Sequence, residues 1–545
     1  MTAKKIFKFP AKLKKTIFLL AATGLTIHAS NRSDFVSEKI TAGVDGVIRS
    51  SRAISTFALT VADYKYSLYG LSTASGDYRR KLSEVHLRSA KRILQLCETN
   101  RGFYVKAGQF VAAMRQVPKE YFLTLSSLQD QAVPCHFKAI KEVLISNLGQ
   151  DFSEIFLSFD EQPIAAASIA QVHHAVLRDH QEVAIKVQYP GIEHKMRLDT
   201  TIMSFLSKAV TWFFPEYRFE WLISEFGGAI SLELDFIQEA RNAEKTAENF
   251  KNNDIVRVPN VFWDLTTKHV LTMEFCRGCK VDDLEFLKER RIDAIKVAKA
   301  LLEVFAEMIF VHGFVHGDPH PGNIFVSPEG QNGFSLVLLD HGIYKTLDEA
   351  FRVEYCQLWK ALILLDSNKI YHLGERFGVG KYSKYFPLIF TGRTVDSKSA
   401  LGKGMSVEEK RKLKPELESL TMEDISSFME SLPPDFLTVF RTDGHMRSVI
   451  SKLGAPQRIR LLAYAKYSLY GLSPKMNPKS DFAGEVLLYR FKTHASYLQL
   501  RLVLELLELL SWMRRFKHHL HILHRKVISS MRSVLTLYLS IVIKH

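Results

Sequence analysis

Cysteine is scarce in this chain. Cys97, Cys135, Cys276, Cys279 and Cys356 are the five in 545 residues. They are too few and too scattered for a disulfide framework, which points to a reducing or redox-neutral compartment. Cys276 and Cys279 form one C-x-x-C, but no second pair follows to complete a zinc site and no thioredoxin-like unit surrounds it. Long hydrophobic runs are also missing. The stretch Val534–Ile543 is ten residues, and a bilayer-spanning helix needs about twenty. Acidic residues are absent from the first 33 positions, which hold seven Lys/Arg. Residues 501–545 hold eight Lys/Arg and two Asp/Glu. The two ends thus carry 13 of the +15 net charge, leaving about +2 on the central 467 residues. A nucleic-acid enzyme usually carries its basic surface on the folded domain, so a nucleic-acid partner is not expected. Basic ends on a near-neutral body suit targeting or an anionic membrane surface. Six lysines before residue 16, then an apolar stretch, are a layout shared by secretory signals and mitochondrial presequences. The long acid-free start and the lack of disulfides favour a mitochondrial location, associated with the inner membrane.

What is present reads as an ordinary globular chain, 47% hydrophobic and 24% charged, long enough for several domains. Residues 1–33 read as a targeting or membrane segment. Residues 34–150 form a helical extension, with apolar residues at three-and-four spacing over 82–150 interrupted by Gly102 and Pro134. From Ile155 short β-type runs follow: IFLSF, AQVHHAVL and EVAIKVQ. Segments 192–213 and 222–250 return to helical periodicity, and VPNVFW and HVLTMEF read as two more strands. Residues 151–275 are therefore a sheet-rich lobe. Residues 276–480 are mainly helical, with a loop at 312–325 and a strand FSLVLLD embedded. Residues 481–545 are a basic, Leu-rich helical tail, read either as helices packing on the body or as an amphipathic membrane-surface segment. Strands first and helices afterwards indicate an α+β protein. KYSLYGLS occurs at Lys65–Ser72 and again at Lys466–Ser473; a single match is not a repeat architecture.

The chemistry concentrates in FVHGDPHPGNIFV, which carries Asp318 and Asn323, and in LLDHG, which carries Asp340. Phosphoryl transfer needs positioning and charge neutralisation more than covalent help. An Asp can hold or deprotonate an attacking hydroxyl, while an Asn and a second Asp can hold Mg²⁺ against phosphates. Protein kinases meet this need with H-R-D-x-x-x-x-N followed by D-F-G. Here the counterparts are His316-Gly317-Asp318, Asn323 and Asp340-His341-Gly342, with the same D-to-N spacing. Lys186 in VAIK sits where a kinase lysine contacts phosphates, and the following helical segment offers Glu233, Asp235 and Glu239 as partners. Glu274 and Phe275 end a strand ahead of Gly278, as a kinase hinge does. His312, His316 and His320 are not read as a metal site, because Pro319 and Pro321 prevent one helix from presenting them. His316 is expected to be structural.

Glycine is missing where a kinase needs it most. The loop upstream of VAIK reads Ala165-Ala166-Ala167-Ser168. Together PIAAASIAQVHHA, VAIKVQYPG, ELDF..EA.N, FVHGDPHPGN and LLDHG, with K-x-G-Q at Lys106–Gln109, resemble the UbiB family of aarF-domain-containing atypical kinases, closest to a mitochondrial branch of it. The resemblance covers roughly residues 80–475. It implies a two-lobed protein-kinase-like fold with an N-terminal helical extension and a helical tail, and ATP or ADP with Mg²⁺ as ligands. It implies Asp318 as the catalytic residue and Asn323 and Asp340 as metal ligands. Ile164, Ala165, Ala166, Ala167, Ser168, Ile169, Ala170, Gln171, Val172, Lys186, Glu239, Glu274 and Phe275 would line the nucleotide. Lys106 and Gln109 would face Glu233 and Asp235 as a regulatory set, and Glu239 would pair with Lys186. The alanine loop would alter nucleotide preference and restrain protein phosphorylation, methyl groups limiting how closely the turn covers a γ-phosphate. Gly317 in place of the catalytic-loop Arg, and the lack of A-P-E soon after Asp340, agree with this. The expected partners are the nucleotide, a lipid or isoprenoid small molecule, the mitochondrial membrane surface and its proteins, in coenzyme Q, lipid or membrane homeostasis. The alternative expectation is a catalytically silent scaffold that organises mitochondrial membrane proteins.

Overall fold

The computed structural model describes residues 34–531, apart from 73–74, 114–116, 131–133, 150, 216–219, 331–332, 398–400, 421, 474–487 and scattered positions beyond 488. The basic leader of residues 1–33 and the apolar stretch Val534–Ile543 lie outside the described residues. The chain forms two compact units. One comprises residues 1–248, 258–277 and 338–343, the other residues 249–257, 278–337 and 344–545. The helical extension and the sheet-rich segment, distinct by composition, thus share one unit.

The extension of the first unit contains α1 (Asp34–Ser67), α2 (Gly76–Asn100), α3 (Phe103–Ala113), α4 (Lys119–Leu125) and α5 (Phe137–Leu148). The Ser75 hydroxyl accepts from the Tyr78 amide and starts α2. Positive φ at Arg101 and Gly102 ends it and turns the chain into α3. Next come β1 (Phe156–Phe159), β2 (Ala165–Ala166), β3 (Ala170–Leu177), β4 (Glu182–Gln188), the helices α6 (Ile192–Phe213), α7 (Glu220–Glu233) and α8 (Phe236–Asn249), and β5 (Val270–Glu274). The sheet is antiparallel in the order β1-β3-β4-β5, with β2 paired to β3. Along β4 the side chains alternate. Val183, Ile185 and Val187 are fully buried against Ile140, Leu144 and Val270. Lys186 therefore stands on the opposite face, between Val172 of β3 and Leu271 of β5.

In the second unit, a short four-stranded sheet runs in the order Val256–Arg257, Ser335–Leu338, Ile324–Ser327 and Cys279–Lys280. The helix α9 (Ala294–Glu307) ends in a wider turn at Gly313, where φ is positive. The strand β6 (Phe314–His316) follows and pairs antiparallel with Tyr344–Thr346. Around them lie α10 (Glu349–Leu364), α11 (Pro434–Lys452) and α12 (Gln457–Gly471), whose core contains Trp359, Tyr355, Phe310 and Tyr464.

Three sequence expectations are corrected. The segment 222–250 is two helices, because Asp235 breaks the run and its carboxylate accepts from the Ile237 and Gln238 amides as the cap of α8. VPNVFW is not a strand. Pro259 has no N–H to donate, and only a single bridge, Val261 to Met273, forms. The stretch read as helix and loop after Gly278 contains several short strands, of which Phe314–His316 lies within the expected loop.

Candidate functional site

The site is built on two elements of the first unit. Strand β4 presents Lys186, and α8 presents Glu239 and, one turn later, Asn242 on the same face. Lys186 Nζ lies 2.6 Å from Glu239 Oε1 and 3.5 Å from Asp340 Oδ2. The Phe236 ring lies 5.1 Å beneath the ammonium. Of the three carboxylates that the sequence offered, Glu239 is thus the direct partner. Asn242 Nδ2 donates to the His341 carbonyl at 2.9 Å, and the Gly342 amide donates to Asp340 Oδ1 at 2.9 Å. One face of α8 therefore holds both the lysine and the Asp340-His341-Gly342 turn. The sequence reading gave Asn242 no role, although its place three residues after Glu239 was a usable signal.

Burial would lower the Lys186 pKa, but Asp340, Glu239 and Glu233 outweigh it and raise it well above the usual lysine range. Burial pushes Glu239 up to about 7 against the pull of Lys186, with Asp340 adding to the rise. Lys186 is shared between Glu239 and Asp340, two carboxylates for one cation.

The K-x-G-Q helix α3 joins the same unit. Lys106 Nζ pairs with Glu233 Oε1 at 2.7 Å. A Cβ on Gly108 would meet Leu128 Cδ1 at 2.4 Å and Cys97 Sγ at 3.2 Å, so glycine here permits close packing. Gln109 Nε2 donates to the Leu128 carbonyl at 2.9 Å. This differs from the expectation that Gln109 faces Asp235. Gln109 fastens the turn after α4, and Asp235 is spent as a helix cap.

The alanine loop is a short hairpin. Ala165 pairs with Val172 and Ala166 with Gln171. The Ala167 amide donates to the Ala170 carbonyl, and Tyr189 Oη donates to the Ala167 carbonyl at 3.0 Å. None of Ala165 to Ser168 takes a positive φ, so this turn does not need glycine. Ile164, Ala165 and Ala167 are exposed, whereas Ile169, Ala170 and Gln171 are buried. That narrows the expected nucleotide lining. Ile169 and Ala170 join the apolar core. The Gln171 amide accepts from the Cys135 N–H at 2.7 Å and bonds the His173 ring at 2.9 Å, bracing β3. At the expected hinge, the Glu274 amide donates to Asn260 and the Phe275 amide to Glu182, so neither N–H is presented to a ligand. The Glu274 carboxylate accepts from Asn260.

Asp318 and Asn323 belong to the second unit, in a loop that bonds largely to itself. His316 Nδ1 accepts from the Asp318 amide at 3.1 Å, and His316, almost fully buried, stacks on Tyr344. Asn323 Nδ2 donates to the Asp318 carbonyl at 3.0 Å, and His320 Nδ1 accepts from the Gly322 amide. Helix α11 braces the loop, Thr442 Oγ1 donating to the His316 carbonyl at 3.3 Å. His445, one turn further along α11, has its pKa lowered to about 4 by burial, with Asp318 opposing the shift.

Asp340 and Asn323 belong to different units, and each offers the kind of oxygen that Mg²⁺ takes, a hard cation that binds one or two protein oxygens and completes its shell with water and phosphate. The Asp340 side chain is 38% exposed. Asn323 commits its amide nitrogen to Asp318, which keeps its amide oxygen outside that bond. Among the described residues no cluster of three His, Cys, Asp or Glu groups could hold a metal unaided.

A lysine–glutamate pair under a small antiparallel sheet, an Asp-x-Gly turn and an Asp-to-Asn loop define an atypical kinase of the protein-kinase-like α+β class. Residues 127–374 match the ABC1 atypical kinase-like domain. The chain is 40% identical over 413 residues to AarF domain-containing protein kinase 1 of Xenopus laevis, covering 75% of this chain and 79% of the relative. It is 35% identical to the mouse protein of that name, covering 93% and 98%. A probable serine/threonine-protein kinase of Dictyostelium discoideum is 34% identical over 87% of this chain and 68% of its own length. The chain belongs to the AarF domain-containing, or ABC1, family of atypical kinases.

Proposed function

We propose that this chain binds ATP or ADP with Mg²⁺ and transfers or hydrolyses the terminal phosphoryl group, acting at a mitochondrial membrane in lipid, coenzyme Q or membrane homeostasis. The observation that carries the reading is the Lys186–Glu239 pair, 2.6 Å long and buried, with Asp340 beside it. An ammonium fixed this way is extended and charged for α- and β-phosphates. Asp340 and Asn323 would hold the metal, which neutralises charge developing on phosphate oxygens. Asp318 would orient or deprotonate the acceptor.

The name of the Dictyostelium relative points to protein phosphorylation. Gly317 in place of the catalytic-loop Arg, and the absence of A-P-E near Asp340, favour a small or lipidic acceptor such as an isoprenoid instead. The basic leader supports mitochondrial import.

Thermal unfolding with Mg·ATP or Mg·ADP tests the nucleotide site. A ligand that binds only the folded state raises the melting temperature with concentration over Kd. Wild type should shift with both nucleotides, and Asp340→Asn should shift far less. No shift in wild type would remove the nucleotide from the proposal and favour the scaffold.

A further inference from the structure

The C-terminal tail carries an apolar stripe that the body does not cover. Residues 491–506 are helical, as are 508–509, 512–513, 516–517 and 520. Leu500 and Leu504 are buried, and Arg458 pairs with Glu505 and Glu508, fixing one side of this helix to the second unit. At about 100° per residue, Leu498, Leu502, Leu509, Met513, Phe516 and Leu520 fall on the opposite side. Each of these six is at least half exposed, and by spacing they share a sector about 60° wide. Such a contiguous apolar patch on a folded surface marks an interaction site.

Two further features identify what covers it. Exposed cations flank the stripe on both sides, Lys492 and Lys517 on one and Arg501 and Lys526 on the other. The acids of the same segment, Glu505 and Glu508, are neutralised by Arg458, and Lys403 lies near Glu508. Exposed Trp512 and Leu506 fall beside it and widen the apolar face to about 120°. A two-stranded coiled coil would need a narrower seam, with flanking charges of opposite sign to pair across it, and here both flanks are cationic. A broad apolar face bordered by Lys and Arg is the pattern of a helix lying in a lipid interface, its long cationic side chains reaching up to headgroups.

We infer that the helical residues described between 491 and 520 form an amphipathic segment that lays its Leu502, Leu509 and Phe516 face into an anionic lipid surface. This segment would lie in the interface plane. No helix among the described residues is long and apolar enough to cross a membrane. This inference does not depend on nucleotide binding.

Vesicle co-flotation of the full chain tests it, using phosphatidylcholine vesicles with and without phosphatidylglycerol. Wild type should float with the anionic vesicles, less with neutral ones, and less as salt rises. The triple variant Leu502→Glu, Leu509→Glu, Phe516→Glu should lose binding by at least about a hundredfold, with an unchanged melting curve showing that the body is intact. Arg501→Glu with Lys517→Glu should weaken binding to anionic vesicles selectively. Failure of wild type to float, or equal flotation of the triple variant, would overturn the inference. So would light scattering that shows a dimer in wild type and a monomer in the triple variant without vesicle binding, because the stripe would then pair two copies.

Discussion

The two halves of the motif set, one in each unit, are held in opposite ways. In the first unit, Lys186, Glu239 and Asp340 come from distant points of the chain and meet through side chains on a strand, a helix and a turn. In the second unit, His316, Asp318, His320 and Asn323 lie within eight consecutive residues and bond to groups two to five positions away. The first half is charged, buried and tertiary, so its geometry depends on the packing of α8. The second is a local loop whose shape rests on bonds between residues two to five positions apart.

The sharpest way to break this comparison is to remove one charge from each half. Lys186→Ala leaves Glu239 buried without its cation, and should destabilise the fold by about 3 kcal/mol as well as abolish turnover. Calorimetry and an ATPase assay read the two effects. Pairing Lys186→Met with Glu239→Gln should restore most of the stability and none of the turnover. A double variant no more stable than Lys186→Ala would mean that the pair is not the source of the loss.

Asp318→Asn should do the reverse. The substitution keeps the size of the side chain and the bonds of the Asp318 amide and carbonyl, so stability should change by less than about 1 kcal/mol. Turnover should fall at least about a hundredfold while Mg·ATP still raises the melting temperature. Full turnover in this variant would remove the assigned role.

The smallest effect sharpens the contrast through pH. His445, on the helix bracing the loop, has its pKa depressed to about 4 by burial. A depressed histidine contributes stability that is present above its unfolded value of about 6.5 and is lost as pH falls toward 4. His445→Asn should therefore flatten the acid arm of a stability–pH curve over that window, by on the order of 2 kcal/mol. His86 and His173 are also lowered by burial and would maintain part of the slope. An unchanged acid arm would show that His445 is not titrating between the folded and unfolded states.

This contrast also accounts for what could be read in advance. The loop 314–326 was legible because its shape follows from its own residues: two prolines, two glycines and side chains bonding two to five positions away. The run EVAIKVQ was legible because alternation fixes which face each residue takes. Other features were not local. The break at Asp235 was masked by apolar periodicity continuing on both sides, although Asp followed by an amphipathic run is a capping signal. Gln109 could not be assigned from its motif, since its partner is a carbonyl exposed only by how the turn after α4 packs. The alanine loop looked anomalous for lack of glycine, yet its backbone takes a conformation open to any L-residue.

The sequence by itself determined the family, the α+β class, the order of the chemical groups and the basic character of both ends. These follow from residue type, spacing and periodicity, which need no distant contact. Tertiary structure alone decided that Glu239 rather than Glu233 or Asp235 meets Lys186, that Asn242 ties the Asp340 turn to α8, and that the tail buries Leu500 and Leu504 while presenting Leu502, Leu509 and Phe516. Each is a choice among chemically equivalent residues, and only the packing of one element against another makes them unequal.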